Sequence, residues 1–226
     1  MKITKGGKEM GLNAFLLGLS NLEKIRRAPG FFKFTEHTVA AHSFRVAMIA
    51  QTLGDIEEVH GNTVNWRSLY EKSLNHDYTE RFIGDIKTPV KYANKNLREM
   101  LADVEASMAK SFIEQEIPLE FQENYFRRFA EGKDDSLEGQ ILSIADKIDL
   151  LYESYEEIAK SNPDTVFKEM FFEAMITVKK MDHLASVDYF FSDIFPELIE
   201  EDFYGKESFQ KEIKRILECY PKQDIK

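Results

Sequence analysis

The segment from Ser136 to Lys160 constrains the fold more than any other. Leu137, Ile141, Ile144, Ile148, Leu151, Tyr155 and Ile158 recur in steps of three and four, one continuous apolar stripe along a helix. Leu142, Ala145 and Leu150 lie well round from that stripe, so the helix is covered on most sides and belongs near the centre of the fold. Asp146 stands four residues from both Leu142 and Leu150, on this second apolar face. A carboxylate held there needs a partner, because a buried charge is costly unless it is paired or bound to a metal.

The rest of the chain follows the same period. Short turn signals, "RRAPGFF", "HGNTVN", "GDIKTPVKYANKN", "EQEIPLE", "EGKDDS", "KSNPD" and "FYGKE", separate segments that predict helices over 10–26, 36–53, 64–77, 95–115, 119–131, 136–160, 163–181, 183–199 and 206–219. Alternating β-branched runs are absent, so the class is all-α, a single globular helical bundle. A length of 226 residues with 43% hydrophobic residues and 18 Phe fills one sizeable core, and no linker or repeat divides residues 1–226. The Phe-rich "VFKEMFFEAM" and "DYFFSDIF" supply core or dimer surface, and the acids that end "DKIDLLYESYEE" read as a solvated face.

Charge and cysteine content narrow the function. A net charge of −10 without a basic block excludes a nucleic-acid polymer or an anionic membrane as the main partner and leaves a small anionic ligand held by a few local cations. The single Cys219 excludes an intramolecular disulfide and a Cys-rich zinc site, as suits a reducing compartment. "AFLLGL" is the apolar face of a first helix, and no stretch approaches the roughly 20 apolar residues that span a bilayer; a cytoplasmic protein is expected.

Polar residues on inward faces mark where chemistry collects. His42, in "TVAAHSFRVAMIAQTL", has Val39 and Val46 as its three- and four-residue neighbours; His76 lies seven residues after Leu69 and three after Ser73, and Asp77 points about a quarter-turn away. A lone histidine on an apolar face is usually a satisfied core residue or a cap. Three helices that offer His42, His76-Asp77 and Asp146 in chain order are better read as a metal site. Two neutral imidazoles and two carboxylates neutralise one divalent cation and suit Mn, Fe, Co or Ni, with Mg or Zn as further options, and leave positions for a water made nucleophilic near neutral pH. His37, five residues from His42, faces away from it, and His60 and His183 lack ligand-spaced partners. Arg45, three residues past His42, is expected to cover a neighbouring helix or pair with an acid.

The order H…HD…D, carried by "AAHSFRVAMIA", "LNHDYTE" and "SIADKIDLL", resembles the HD-domain metal-dependent phosphohydrolases. "HDYTERFIGDIKTPVKY" is similar to the HD-x-x-E-x-x-x-GD-x-x-TPVKY stretch of the bacterial 5'-deoxynucleotidases of that superfamily, and the likeness spans about residues 26–196. It implies a single HD domain with a metal-binding core over about 26–160 and C-terminal helices over 163–219 packed on it. It also implies one metal ion on His42, His76, Asp77 and Asp146, catalytic acids at Glu80 and Asp85, and a phosphate contact at Arg27. Thr88 and Lys91 are implied substrate contacts beside their plainer roles in a turn and on a solvated surface. Where related enzymes set a tryptophan against the sugar this chain has Ala28, which leaves sugar preference open, with Phe31 or Phe32 as replacement surface. The implied substrate is a (deoxy)nucleoside 5'-monophosphate, and a homodimer is implied too. Two other readings stand beside it: hydrolysis of a cyclic nucleotide or other small phosphomonoester, and a non-catalytic helical module that binds a structural ion.

Overall fold

A computed structural model describes residues 4–5, 8–9, 12–86, 94–130, 132–200 and 202–220. Helix formation follows the apolar period: α1 (Asn13–Leu22), α2 (Val39–Val59), α3 (Trp66–Asn75), α4 (Glu80–Ile83), α5 (Lys95–Glu116), α6 (Leu119–Ala130), α7 (Leu137–Ala159), α8 (Val166–Lys179), α9 (Ala185–Tyr189), α10 (Phe195–Leu198) and α11 (Lys206–Glu218). The fold is all-α, and a two-residue antiparallel ladder, Thr4–Lys5 against Lys8–Glu9, does not change that. Side-chain caps fix two starts, since Asn94 accepts from Leu97 N at 2.8 Å and Ser136 from Gly139 N at 3.1 Å. Among the described residues no helix is long and apolar enough to cross a membrane.

Four boundaries depart from the sequence expectation, each for a local reason. The first helix stops at Leu22, so Arg26 and Arg27 are extended: Arg26 bridges Thr38, and Arg27 N–H donates to His37 O at 2.9 Å. The second helix runs to Val59, through Gly54, because a Cβ at residue 54 would lie 2.9 Å from the Trp66 ring; Gly54 is there for close packing and does not end the helix. The third ends at Asn75, so His76 and Asp77 sit in the turn beyond it, where Asn75 Nδ2 donates to Glu71 O at 2.7 Å and Tyr78 N to Asn75 O at 3.0 Å. The long helix expected over 183–199 is re-registered as a π-turn over Phe190–Ile194. There Phe195 N–H reaches Phe190 O, just before Pro196, which has no N–H to continue an α ladder.

Helices α2 and α7 end in the same device. Asn62 N–H donates to Glu57 O at 3.0 Å and Gly61 N–H to Glu58 O at 3.0 Å; Asn162 N–H donates to Glu157 O at 2.9 Å and Ser161 N–H to Ile158 O at 2.9 Å. These are Schellman motifs with a left-handed residue at the turn, Gly61 at φ 91° and Ser161 at φ 60°. In both, the asparagine side chain also donates to the glutamate carboxylate, Asn62 to Glu57 at 2.7 Å and Asn162 to Glu157 at 2.6 Å.

Contacts divide the chain into two compact units, one of residues 1–31, 36–44 and 71–133, the other of 32–35, 45–70 and 134–226. In the first, Leu22, Val39, Tyr78, Phe112, Ile113, Ile117 and Tyr125 form the core, with Phe15, Phe82 and Phe129 packed against it. Tyr78 stacks on Phe129 with centroids 4.7 Å apart, and each such aromatic pair adds roughly 0.5–1.5 kcal/mol beyond its burial. In the second, α8 packs on α7, whose Ile141, Leu142, Ile144 and Leu151 are fully buried, and Phe171 of α8 meets Phe209 of α11 at 4.9 Å. The expectation that α7 is covered on most sides holds: its buried residues run round the helix and include Asp146.

Candidate active site

The site in the first unit is assembled by three short pieces of backbone. Val39, wholly buried, anchors the first turn of α2 and leaves His42 one turn on, itself inaccessible to solvent. The turn after α3 presents His76 and Asp77. Residues 25–27 run antiparallel to 37–39, with Val39 N–H donating to Ile25 O at 3.0 Å, and carry Arg27 to the same place.

Three ligand-type atoms converge there. His42 Nε2 lies 3.2 Å from His76 Nε2, and Asp77 Oδ2 is 3.3 Å from each of them. His76 Nδ1 is 2.8 Å from Ser73 O, which only accepts, so Nδ1 carries a proton and Nε2 is the ring nitrogen that faces His42 and Asp77. Residue lettering could not show Ser73, because its part is played by a backbone carbonyl. Burial pushes the Asp77 carboxyl up, but the His76 charge and hydrogen bonds from His42 and His76 outweigh it and hold Asp77 well below the usual carboxylate range. Arg27 Nη1 stands 3.6 Å from Asp77 Oδ2.

Glu80 opens α4, one turn beyond Asp77. Burial, reinforced by the negative charges of Asp77 and Asp85 and only partly offset by Arg27 and His42, pushes its carboxyl up to about 9. Its Oε2 is buried without a hydrogen-bond partner among the described residues. Gly84, at φ 77°, closes α4 and reverses the chain, and Asp85 Oδ2 then accepts the Ala28 N–H at 2.7 Å. His42, His76, Asp77, Arg27, Glu80 and Asp85 therefore belong to one compact unit.

Asp146 is buried within α7 of the second unit. Thr88 and Lys91 lie outside the described residues. Arg45 pairs with acids, as expected: its Nε and Nη2 reach the two Asp149 oxygens at 2.6 and 2.9 Å, and Nη2 also meets Glu153. Of the acids that end "DKIDLLYESYEE", Glu156 is part-exposed, as expected, but Glu153 meets Arg45 and Glu157 is buried. Asp149 and Glu157 are each 1% exposed, the first neutralised by Arg45 and the second accepting from Phe34 N at 3.0 Å and Thr35 N at 2.9 Å. Sequence reasoning missed them because their partners are an arginine about a hundred residues away and a loop backbone.

A helical fold with a His-His-Asp cluster, a nearby arginine and a glutamate whose carboxyl is pushed up to about 9 defines a class, and comparison with solved structures names it. The chain superposes on the crystal structure of an HD-domain phosphohydrolase from Listeria innocua with a TM-score of 0.87 and 52% identity, covering 93% of this chain and 100% of that one. It is 28% identical over 184 residues to a 5'-deoxynucleotidase of Vibrio vulnificus, covering 80% of this chain and 92% of the relative. It is 26% identical over 183 residues to 5'-deoxynucleotidase YfbR of Escherichia coli, covering 80% and 90%. The YfbR-like 5'-deoxynucleotidase family model matches residues 14–198. The chain belongs to the YfbR-like family of HD-domain phosphohydrolases and is a hydrolase.

Proposed function

We propose that the protein hydrolyses the phosphate ester of (deoxy)nucleoside 5'-monophosphates with one divalent metal ion. The observation that carries this reading is the convergence of His42 Nε2, His76 Nε2 and Asp77 Oδ2 within 3.2–3.3 Å of one another beside Arg27 and Glu80. The donor set fits a cation: two imidazole nitrogens, one with its tautomer set by Ser73, and a carboxylate held ionised. Asp146, carried by the family resemblance, is the proposed fourth ligand, and Mn, Co, Fe or Ni the favoured ions. Such an ion supplies Lewis acidity toward phosphate and makes water a nucleophile near neutral pH.

The protein's own groups do the rest. Arg27 offsets charge on the phosphoryl oxygens, an electrostatic role that in acyl- and phosphoryl-transfer sites is often the largest catalytic contribution. Glu80, its carboxyl pushed up to about 9, hands its proton to the departing 5' oxygen and regains one from the attacking water, so that water and ester become nucleoside and inorganic phosphate. Thr88 and Lys91 are proposed substrate contacts on the resemblance alone. We further propose that residues 1–226 act as one HD domain, as a homodimer in the cytoplasm.

A phosphate-release screen of ribo- and deoxyribonucleoside 5'-monophosphates with Mn, Co, Ni, Mg and Zn tests the reading and settles the sugar preference left open by Ala28. Asp77→Ala is expected to lose both tight metal binding, read by calorimetry, and phosphate release. Ring opening of a cyclic nucleotide without phosphate release would replace the proposal with the cyclic substrate, and full turnover by Asp77→Ala stripped of metal would end it.

A further inference from the structure

Family resemblance casts Asp85 as a second proton-transfer acid, but its carboxylate is already engaged. Asp85 Oδ2 accepts the Ala28 N–H at 2.7 Å. Ala28 needs such an anchor, because its φ of 45° is a left-handed conformation that costs a residue with a Cβ roughly 1–2 kcal/mol. Pro29 follows it, and a residue before proline is pushed toward extended backbone as well. Two preferences of the chain thus oppose the conformation at Ala28, while one charge-assisted hydrogen bond supports it.

The residue held in place by this strained turn is Arg27. On its N-terminal side Arg27 N–H is tied to His37 O at 2.9 Å, and on its C-terminal side the next amide is tied to Asp85. With both flanking amides fixed, the guanidinium is held with Nη1 3.6 Å from Asp77 Oδ2, at the edge of the His-His-Asp cluster. Asp85 is aimed at Ala28 by Gly84, whose φ of 77° turns the chain back at the end of α4.

We propose that Asp85 is a positioning residue: it anchors the Arg27–Ala28 turn, and so sets where Arg27 meets the substrate phosphate, without itself donating the proton to the leaving group. The proposal rests on the nucleotidase reading for its substrate, but the anchor itself can be read without turnover. Asparagine at residue 85 keeps a carbonyl oxygen able to accept from Ala28 N–H and has no proton to give as an acid. Alanine keeps neither.

The test compares Asp85→Asn, Asp85→Ala, Arg27→Ala and the double variant Arg27→Ala/Asp85→Ala, each checked for an unchanged melting temperature with metal. Hydrogen exchange at the Ala28 amide should be slow in the parent and in Asp85→Asn and faster by tenfold or more in Asp85→Ala, as expected for a lost hydrogen bond to a charged acceptor. With a nucleoside monophosphate as substrate, Asp85→Ala should lower kcat/KM by about tenfold, and Asp85→Asn should stay within about threefold of the parent. In the Arg27→Ala background the second substitution should add almost nothing. With p-nitrophenyl phosphate, whose leaving group needs no protonation, the loss in Asp85→Ala should be the same size. Equal, large losses of kcat in Asp85→Asn and Asp85→Ala on the nucleotide that vanish with p-nitrophenyl phosphate would restore the proton-donor role and overturn the proposal. An Ala28 amide that exchanges no faster in Asp85→Ala would overturn it independently. If the parent released no phosphate from any nucleotide, the nucleotidase reading would fail while the amide exchange still decided the anchor.

Discussion

Glu80 sits where three acids meet within nine residues of chain, Asp77 to Asp85, and its chemistry is set by that crowding. Asp77 is held ionised by the imidazoles beside it, so the proton that the cluster retains goes to Glu80, pushed up to about 9 by burial and by the Asp77 and Asp85 charges. The folded chain therefore binds more protons than the unfolded one between the usual value of 4.5 and about 9, and this contribution makes stability fall as pH rises through that window. In protein stripped of divalent ions with a chelator, Glu80→Gln removes the cost, and the melting temperature of the variant relative to the parent should rise steadily from pH 5 to pH 8. A constant offset across that range would show that Glu80 is not raised. His42, His76 and Asp77 were legible as residue types at a spacing, and Glu80 and Asp85 through the family resemblance. What they do was less so: the Ser73 carbonyl that sets the His76 tautomer and the Ala28 amide that holds Asp85 are backbone groups, which every residue has and no residue letter reveals.

Among the elements, apolar periodicity located the long helices to within a few residues but misplaced two kinds of boundary. The expected end of α2 at residue 53 falls just before Gly54, where the helix continues because the space left by the missing side chain is filled by the Trp66 ring. The turn after α3 read as helix because His76 and Asp77 keep the helical spacing beyond the last helical hydrogen bond. The paired C-termini of α2 and α7 offer an internal control on helix stopping. Both need a left-handed residue; α2 supplies Gly61, whereas α7 uses Ser161, whose Cβ makes φ 60° unfavourable. Ser161→Gly should raise the unfolding free energy by about 0.5–1 kcal/mol and Gly61→Ser should lower it by a similar amount, measured as opposite shifts of the urea midpoint at unchanged slope. Shifts of the same sign would show that the glutamate–asparagine pair, and not the backbone conformation, ends these helices.

For the whole molecule, the division into two compact units is the feature the sequence concealed most completely. It follows contacts between distant segments, so the chain passes from one unit to the other at residues 31–32, 35–36, 44–45, 70–71 and 133–134 with no glycine- or serine-rich linker at any crossing. Two of those crossings fall inside helices: α2 runs from Val39 through 44–45 to Val59, and α3 from Trp66 through 70–71 to Asn75. A helix is cooperative along its length, so melting one unit frays the helix it shares with the other and exposes apolar residues in both. The chain should therefore unfold in one transition despite its length, behaving as the single HD domain proposed above. Trp66, the only tryptophan, reports on the second unit, while circular dichroism at 222 nm reports on helices of both. Urea curves from the two probes should coincide in midpoint and slope. A biphasic dichroism curve of which Trp66 fluorescence follows one phase alone would show two independently stable units, and the single-domain proposal would give way to a two-domain enzyme.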